Sequence, residues 1–120
     1  MKRVLVADDK PMGRELVRTV LESSGYEVFE AKDGPEALDQ AQQLNPDLII
    51  LDIHMPGLDG FEVIQALRQI DRFKATPVIA LTASAMMGDR ERAMAAGFTG
   101  YLTKPIRLAQ LRAEVERLLR

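Results

Sequence analysis

The chain has 120 residues, of which 47% are apolar and 28% charged, with a formal net charge of -2. One domain with one core fits that length and balance, and intrinsic disorder does not. The charge gives no general attraction to nucleic acid or to a membrane surface. There is no cysteine, which excludes disulfides, thiolate catalysis and cysteine-ligated zinc. No apolar stretch approaches the about 20 residues of a membrane helix. Asp8 interrupts the first apolar run too soon for a signal-peptide core, which fits the cytoplasm.

Residues 3–7 read as a strand. Residues 11–24 predict a helix with Leu16, Val17, Val20 and Leu21 inward and Gly25 as its stop. Pro11 stands near the start, where its missing N–H does no harm. Residues 27–31 form a short strand whose Glu27 and Glu30 suit a sheet edge. Asp33-Gly34-Pro35 opens a second helix and Asn45-Pro46 closes it, with Ala37, Leu38, Ala41 and Leu44 as its apolar face. Residues 48–51 are unbroken leucine and isoleucine, as in a strand covered on both faces. The segment 55–60 is rich in turn formers. A third helix is predicted over 61–70, with Val63, Ile64, Leu67 and Ile70 inward, followed by a buried strand over 77–81. Gly88-Asp89 starts a helix that Gly97 ends. A strand over 100–103 precedes a last helix over 107–119, striped by Leu108, Leu111, Val115 and Leu118. Met86, Met87 and Met94 suit either an adaptable binding surface or packing under the fourth helix.

Strands alternating with helices imply a parallel sheet with helices on both sides. Ligands of such sheets bind beyond the carboxyl ends of the strands. Asp8, Asp9, Asp52, Thr82 and Lys104 all fall at those ends. Three carboxylates, a hydroxyl and an ammonium are the chemistry of a divalent cation with a phosphoryl group. Magnesium takes one or two carboxylates plus phosphate oxygens. The competing explanation, that Asp8 or Asp9 caps the helix near Pro11, does not extend to Asp52.

Asp52 ends the most apolar strand and is the candidate phosphoryl acceptor, since carboxylates attack phosphorus. From the residues alone, Asp8 and Asp9 remain rivals for that role. Lys104 offers a compact charge to a phosphoryl oxygen, and Lys104-Pro105 is a candidate cis peptide bond. The Thr82 hydroxyl can donate to the same group, with small Ala83, Ser84 and Ala85 leaving room. Tyr101 is either a half-buried aromatic or a ring that moves with Thr82. His54 is expected to expose its ring and to contribute only its backbone.

In this order and spacing, Asp8-Asp9, Asp52-Ile53-His54-Met55-Pro56-Gly57-Leu58-Asp59-Gly60, Leu81-Thr82-Ala83 and Lys104-Pro105 resemble bacterial two-component response-regulator receiver domains. The resemblance, to the chemotaxis-regulator type, spans essentially the whole chain. It implies an α/β fold: a (βα)5, doubly wound, flavodoxin-like sheet of five parallel strands in the order 2-1-3-4-5, with helices on both faces. It implies a single receiver domain over 1–120, with no output domain. It further implies a signalling switch in which a histidine kinase or histidine phosphotransfer protein donates a phosphoryl group to Asp52. Asp9 would contact Mg2+ directly and Asp8 often through water. Asp52 and the His54 backbone carbonyl complete the ligands, and Mn2+ is a substitute ion. Lys104, Thr82 and the Ala83 backbone would hold the phosphoryl group, and Tyr101 would be the switch aromatic. The fourth helix, fifth strand and fifth helix would face a downstream protein target. Such a protein catalyses only its own phosphorylation and dephosphorylation and touches neither nucleic acid nor membrane.

Lys10 departs from the acidic or small polar residue usual in the family. His54 and Ser84 occupy positions that tune dephosphorylation there. The alternative reading is a small metal-dependent phosphohydrolase using an aspartyl phosphate. Against it stand His54, where such enzymes place a second acid, and the lack of a cap domain.

Overall fold

Apolar runs and turn residues divide the chain into β1 (Arg3–Ala7), α1 (Pro11–Ser23), β2 (Glu27–Ala31), α2 (Gly34–Leu44), β3 (Leu48–Asp52), α3 (Gly60–Arg68), β4 (Val78–Thr82), α4 (Asp89–Ala96), β5 (Gly100–Thr103) and α5 (Leu108–Leu119). One 3-10 turn, Asp71–Phe73, lies between α3 and β4. The computed structural model describes residues 1–83 and 86–120. Ser84, expected to tune dephosphorylation, and Ala85 lie outside the described residues.

The strands pair in the order β2-β1-β3-β4-β5, and every pair is parallel. This is the doubly wound order expected from the sequence. Successive side chains of a strand point to opposite faces, so each central strand feeds two cores. Leu5, Ile49, Leu51, Val78 and Ala80 meet Ala37, Ala41, Val63, Ile64, Leu67 and Ala93 on one side. Val4, Val6, Leu48, Ile50, Ile79 and Leu81 meet Val17, Val20, Leu21, Leu111 and Val115 on the other. β3 and β4 are buried along their whole length. Each fully buried Leu, Ile or Val stabilises the fold by about 1.5–3 kcal/mol relative to exposure.

Three local expectations need correction. Leu16 is 46% exposed, because α1 buries Val17, Val20 and Leu21 and a residue 100° round the helix from Val17 falls off that face. Leu108 is on the α5 stripe, but it opens the helix a turn before the first fully buried residue, Leu111, and is 38% exposed. The third helix stops at Arg68. Ile70 has extended backbone and opens the 3-10 turn, yet still packs on the core. Of the two readings left open for Met86 and Met87, their exposure rules out packing beneath α4.

The loop after β3 is held close to the sheet. The Gly60 N–H donates to the Ile53 carbonyl, and a Cβ on Gly60 would lie 2.6 Å from Ile53 Cα and 2.7 Å from the Asp52 carbonyl oxygen. Only glycine lets α3 start that near the end of β3. Asp59 and Glu62 then close a reciprocal capping box on α3.

Candidate active site

Asp8 and Asp9 follow β1, Asp52 ends β3, Thr82 ends β4 and Lys104 follows β5. Because these strands are neighbours in register, their polar ends share one edge of the sheet. Ligand oxygens of Asp8, Asp9 and Asp52 lie within 4.8 Å of one another. Lys104 Nζ donates to Asp8 Oδ2 at 3.0 Å and to Asp52 Oδ2 at 2.9 Å. Asp8, Asp52 and Thr82 are buried, with 0%, 2% and 1% exposure.

The second oxygens of two of these acids are also engaged. Asp52 Oδ1 accepts the His54 N–H at 2.8 Å, and Asp8 Oδ1 accepts the Lys10 N–H at 3.0 Å. The latter bond lies ahead of α1, which has no side-chain cap, so neither acid caps the helix. Asp9 Oδ1 is buried with no hydrogen-bond partner among the described residues. Gly13, in the first turn of α1, leaves room for this cluster, since its Cβ would approach Asp8 Oδ2 to 3.1 Å.

The Thr82 carbonyl accepts the Lys104 N–H at 2.7 Å, tying the ends of β4 and β5 together. The Lys104-Pro105 bond is cis. The His54 ring is exposed, so its backbone is the part that meets the site. Ala83 is exposed beside Thr82. Tyr101 is half-buried at the β5 edge, and its hydroxyl is buried without a hydrogen-bond partner among the described residues.

Electrostatics set the terms on which this cluster could hold a cation. Two carboxylates no more than 4.8 Å apart repel by at least about 3.5 kcal/mol at an effective dielectric of 20. One ammonium offsets part of three such charges. Burial pushes the Asp52 carboxyl up, against the Lys104 ammonium and the His54 N–H, while Asp8 adds to the rise. Burial works to lower Lys104, but hydrogen bonds to Asp52 and Asp8 prevail and raise it. The lysine therefore stays charged. An all-oxygen donor set with one buried unpartnered oxygen fits a small hard divalent cation.

Arg14 was not singled out by its sequence position. Its Nη1 donates to the Asp8 carbonyl at 2.9 Å and its Nε to Glu30 Oε1 at 2.8 Å. Its partner Glu30 reads in the sequence only as an edge-strand charge, which hides this contact.

A carboxylate trio and a lysine at the carboxyl edge of a doubly wound parallel sheet define a class, the phosphoacceptor switch domains. Residues 4–116 match the response regulator receiver domain profile, and the chain belongs to that family. It is a receiver domain of two-component signalling. It is 43% identical over 105 residues to the polar-differentiation response regulator DivK of Brucella anthropi, covering 88% of this chain and 85% of that protein. The chemotaxis protein CheY4 of Vibrio cholerae superposes with a TM-score of 0.93 at 39% identity over 99% of both chains. The receiver domain of sensor histidine kinase PA1611 from Pseudomonas aeruginosa has a magnesium ion coordinated in its active site cleft. It superposes with a TM-score of 0.90 at 34% identity, covering 98% of this chain and 97% of that one. Membership does not favour the phosphohydrolase reading. Among the described residues, no helix is long and apolar enough to cross a membrane.

Proposed function

We propose that Asp52 accepts a phosphoryl group from the phosphohistidine of a histidine kinase or histidine phosphotransfer protein in the cytoplasm. The observation that carries this reading is the pairing of buried Asp52 with Lys104 beside two further carboxylates, one with an unpartnered buried oxygen. Asp8, Asp9, Asp52 and the His54 carbonyl would hold Mg2+ or Mn2+. That ion supplies charge neutralisation for the phosphoryl oxygens. The magnesium in the Pseudomonas receiver supports the assignment.

A carboxylate oxygen of Asp52 forms the new bond to phosphorus as the phosphorus–nitrogen bond to the donor breaks. The donor imidazole keeps that electron pair. Lys104 pairs with one phosphoryl oxygen, the Thr82 hydroxyl donates to another, and the Ala83 N–H to the third. The product carries roughly −1.5 to −2 charges where Asp52 carried one. Hydrolysis of the acyl phosphate by water resets the site. An apolar groove of about 480 Å³ between Met12, Gly13 and Leu16 and the segment Pro105-Ile106 adjoins Lys104 and gives the donor a seat.

Thr82 and Lys104 stand at the ends of β4 and β5, so their engagement reaches Tyr101 and the α4-β5-α5 face. That face is the output surface for a downstream protein. α4 has the least buried stake of the helices, with Ala93 alone fully covered, which suits an element that shifts between two states.

The test is incubation with a small phosphodonor and magnesium, read by intact mass. The parent gains one phosphoryl group and Asp52→Asn gains none. Equal labelling of the variant overturns Asp52 as acceptor. Sustained hydrolysis of a small phosphomonoester would instead favour a phosphohydrolase.

A further inference from the structure

We propose that Arg14 is a positioning residue for the metal site, acting through the peptide that joins Asp8 to Asp9. This rests on the reading of those acids as metal ligands. The peptide group is planar, so fixing the Asp8 carbonyl fixes the plane from which the Asp9 Cα and its carboxylate depart. The Asp8 N–H donates to the Ala31 carbonyl at 3.1 Å, and the Asp8 carbonyl accepts Arg14 Nη1 at 2.9 Å. Those two bonds grip the turn on both sides of Asp8. Asp9 itself has no such grip on Oδ1, which is buried and unpartnered among the described residues. Its direction therefore comes from the backbone.

Arg14 is in turn held in place. Its Nε donates to Glu30 Oε1 at 2.8 Å, and Glu30 Oε2 accepts Arg18 Nη1 at 2.9 Å. The Arg18 guanidinium, with Arg14 behind it, holds the Glu30 carboxyl below its usual range against the effect of burial. The Arg14 and Glu30 side chains are only 19% and 25% exposed. A relay thus runs from Arg18 through Glu30 and Arg14 to the Asp8 carbonyl and the Asp9 carboxylate. Arg14 addresses a carbonyl and not a carboxylate of the cluster, so it orients the acids without occupying a ligand oxygen. Arg18 carries the same charge nearby but reaches the acidic turn only through Glu30, so it compares nearby charge with direct contact.

Mn2+ binding to the full chain, followed by calorimetry and by electron paramagnetic resonance, tests this. Arg14→Ala is expected to weaken Mn2+ about tenfold, the usual scale for losing a group that orients a ligand. Arg14→Lys is expected to recover part of the loss, since an ammonium can still reach one carbonyl. Arg18→Ala removes only the outer support of Glu30 and is expected to weaken Mn2+ far less than Arg14→Ala does. Thermal melts in EDTA show that each variant is folded before titration. Arg14→Ala binding Mn2+ as tightly as the parent, or Arg18→Ala losing as much as Arg14→Ala, overturns the positioning role. A parent that binds no Mn2+ at millimolar concentration overturns the underlying metal reading instead.

Discussion

Lys104 carries two carboxylates at once, and among the described residues the third acid of the cluster has no ion pair of its own. Removing one charge should therefore relax the fold. Asp52→Asn is expected to stabilise the metal-free protein at neutral pH, by on the order of 1 kcal/mol, in urea melts with EDTA. The sign with pH follows from the raised Asp52 carboxyl. Between its unfolded and folded values the native chain holds the extra proton, so the parent loses stability as pH rises through that window. The advantage of Asp52→Asn should fade as pH falls below it, and a gain that persists in acid would contradict the assignment. Asp8, Asp9, Asp52, Thr82 and Lys104 were legible in the sequence because each closes an apolar run. Arg14 was not, because a side chain that serves a backbone carbonyl leaves no pattern of residue types. Leu16 misled for a related reason: an apolar residue on a helix flank looks the same as one on its face.

At the level of elements, α3 and α4 are joined by a half-buried guanidinium. Arg68 donates from Nε and Nη2 to the Gly97 carbonyl and from Nη1 to the carbonyls of Phe73 and Thr76. Burial lowers its affinity for a proton, though an arginine stays charged at any ordinary pH. Gly97 ends α4 in the left-handed region, at φ 113°, so this one side chain fastens the end of α4 to the end of α3. Arg68→Met is expected to cost about 2–3 kcal/mol by urea denaturation, with faster amide exchange at 97–99. Gly60→Ala acts at the other end of α3. Its Cβ meets backbone on two sides, so it should displace Asp52 and reduce phosphodonor labelling as well as stability. The end of α3 was misread because the inward apolar spacing continues through Ile70, which reaches the core from the 3-10 turn. Helix stops set by side chain to carbonyl bonds are not written in hydrophobic period.

Across the molecule, alternation of strand and helix made the parallel sheet legible, whereas the order 2-1-3-4-5 came from resemblance and not from composition. Two cores, one on each face, place every strand end at a single rim. A divalent cation held at that rim would bind the folded chain and not the unfolded one. Magnesium at about 100 times its dissociation constant should add about 2.7 kcal/mol, or roughly 10 °C in Tm for a domain of this size. A melt unchanged by magnesium would argue against the site.

The ammonium that steadies the first strand end arrives 96 residues later in the chain. During synthesis, β1 and β3 emerge from the ribosome well before residue 104 does. Their carboxylates then have no lysine to lean on. Domains generally fold as units, so this one completes its fold only once β5 and Lys104 have been made. A nascent chain halted before β5 should therefore lean on cellular magnesium for its compactness, and completion of Lys104 should release it from that dependence.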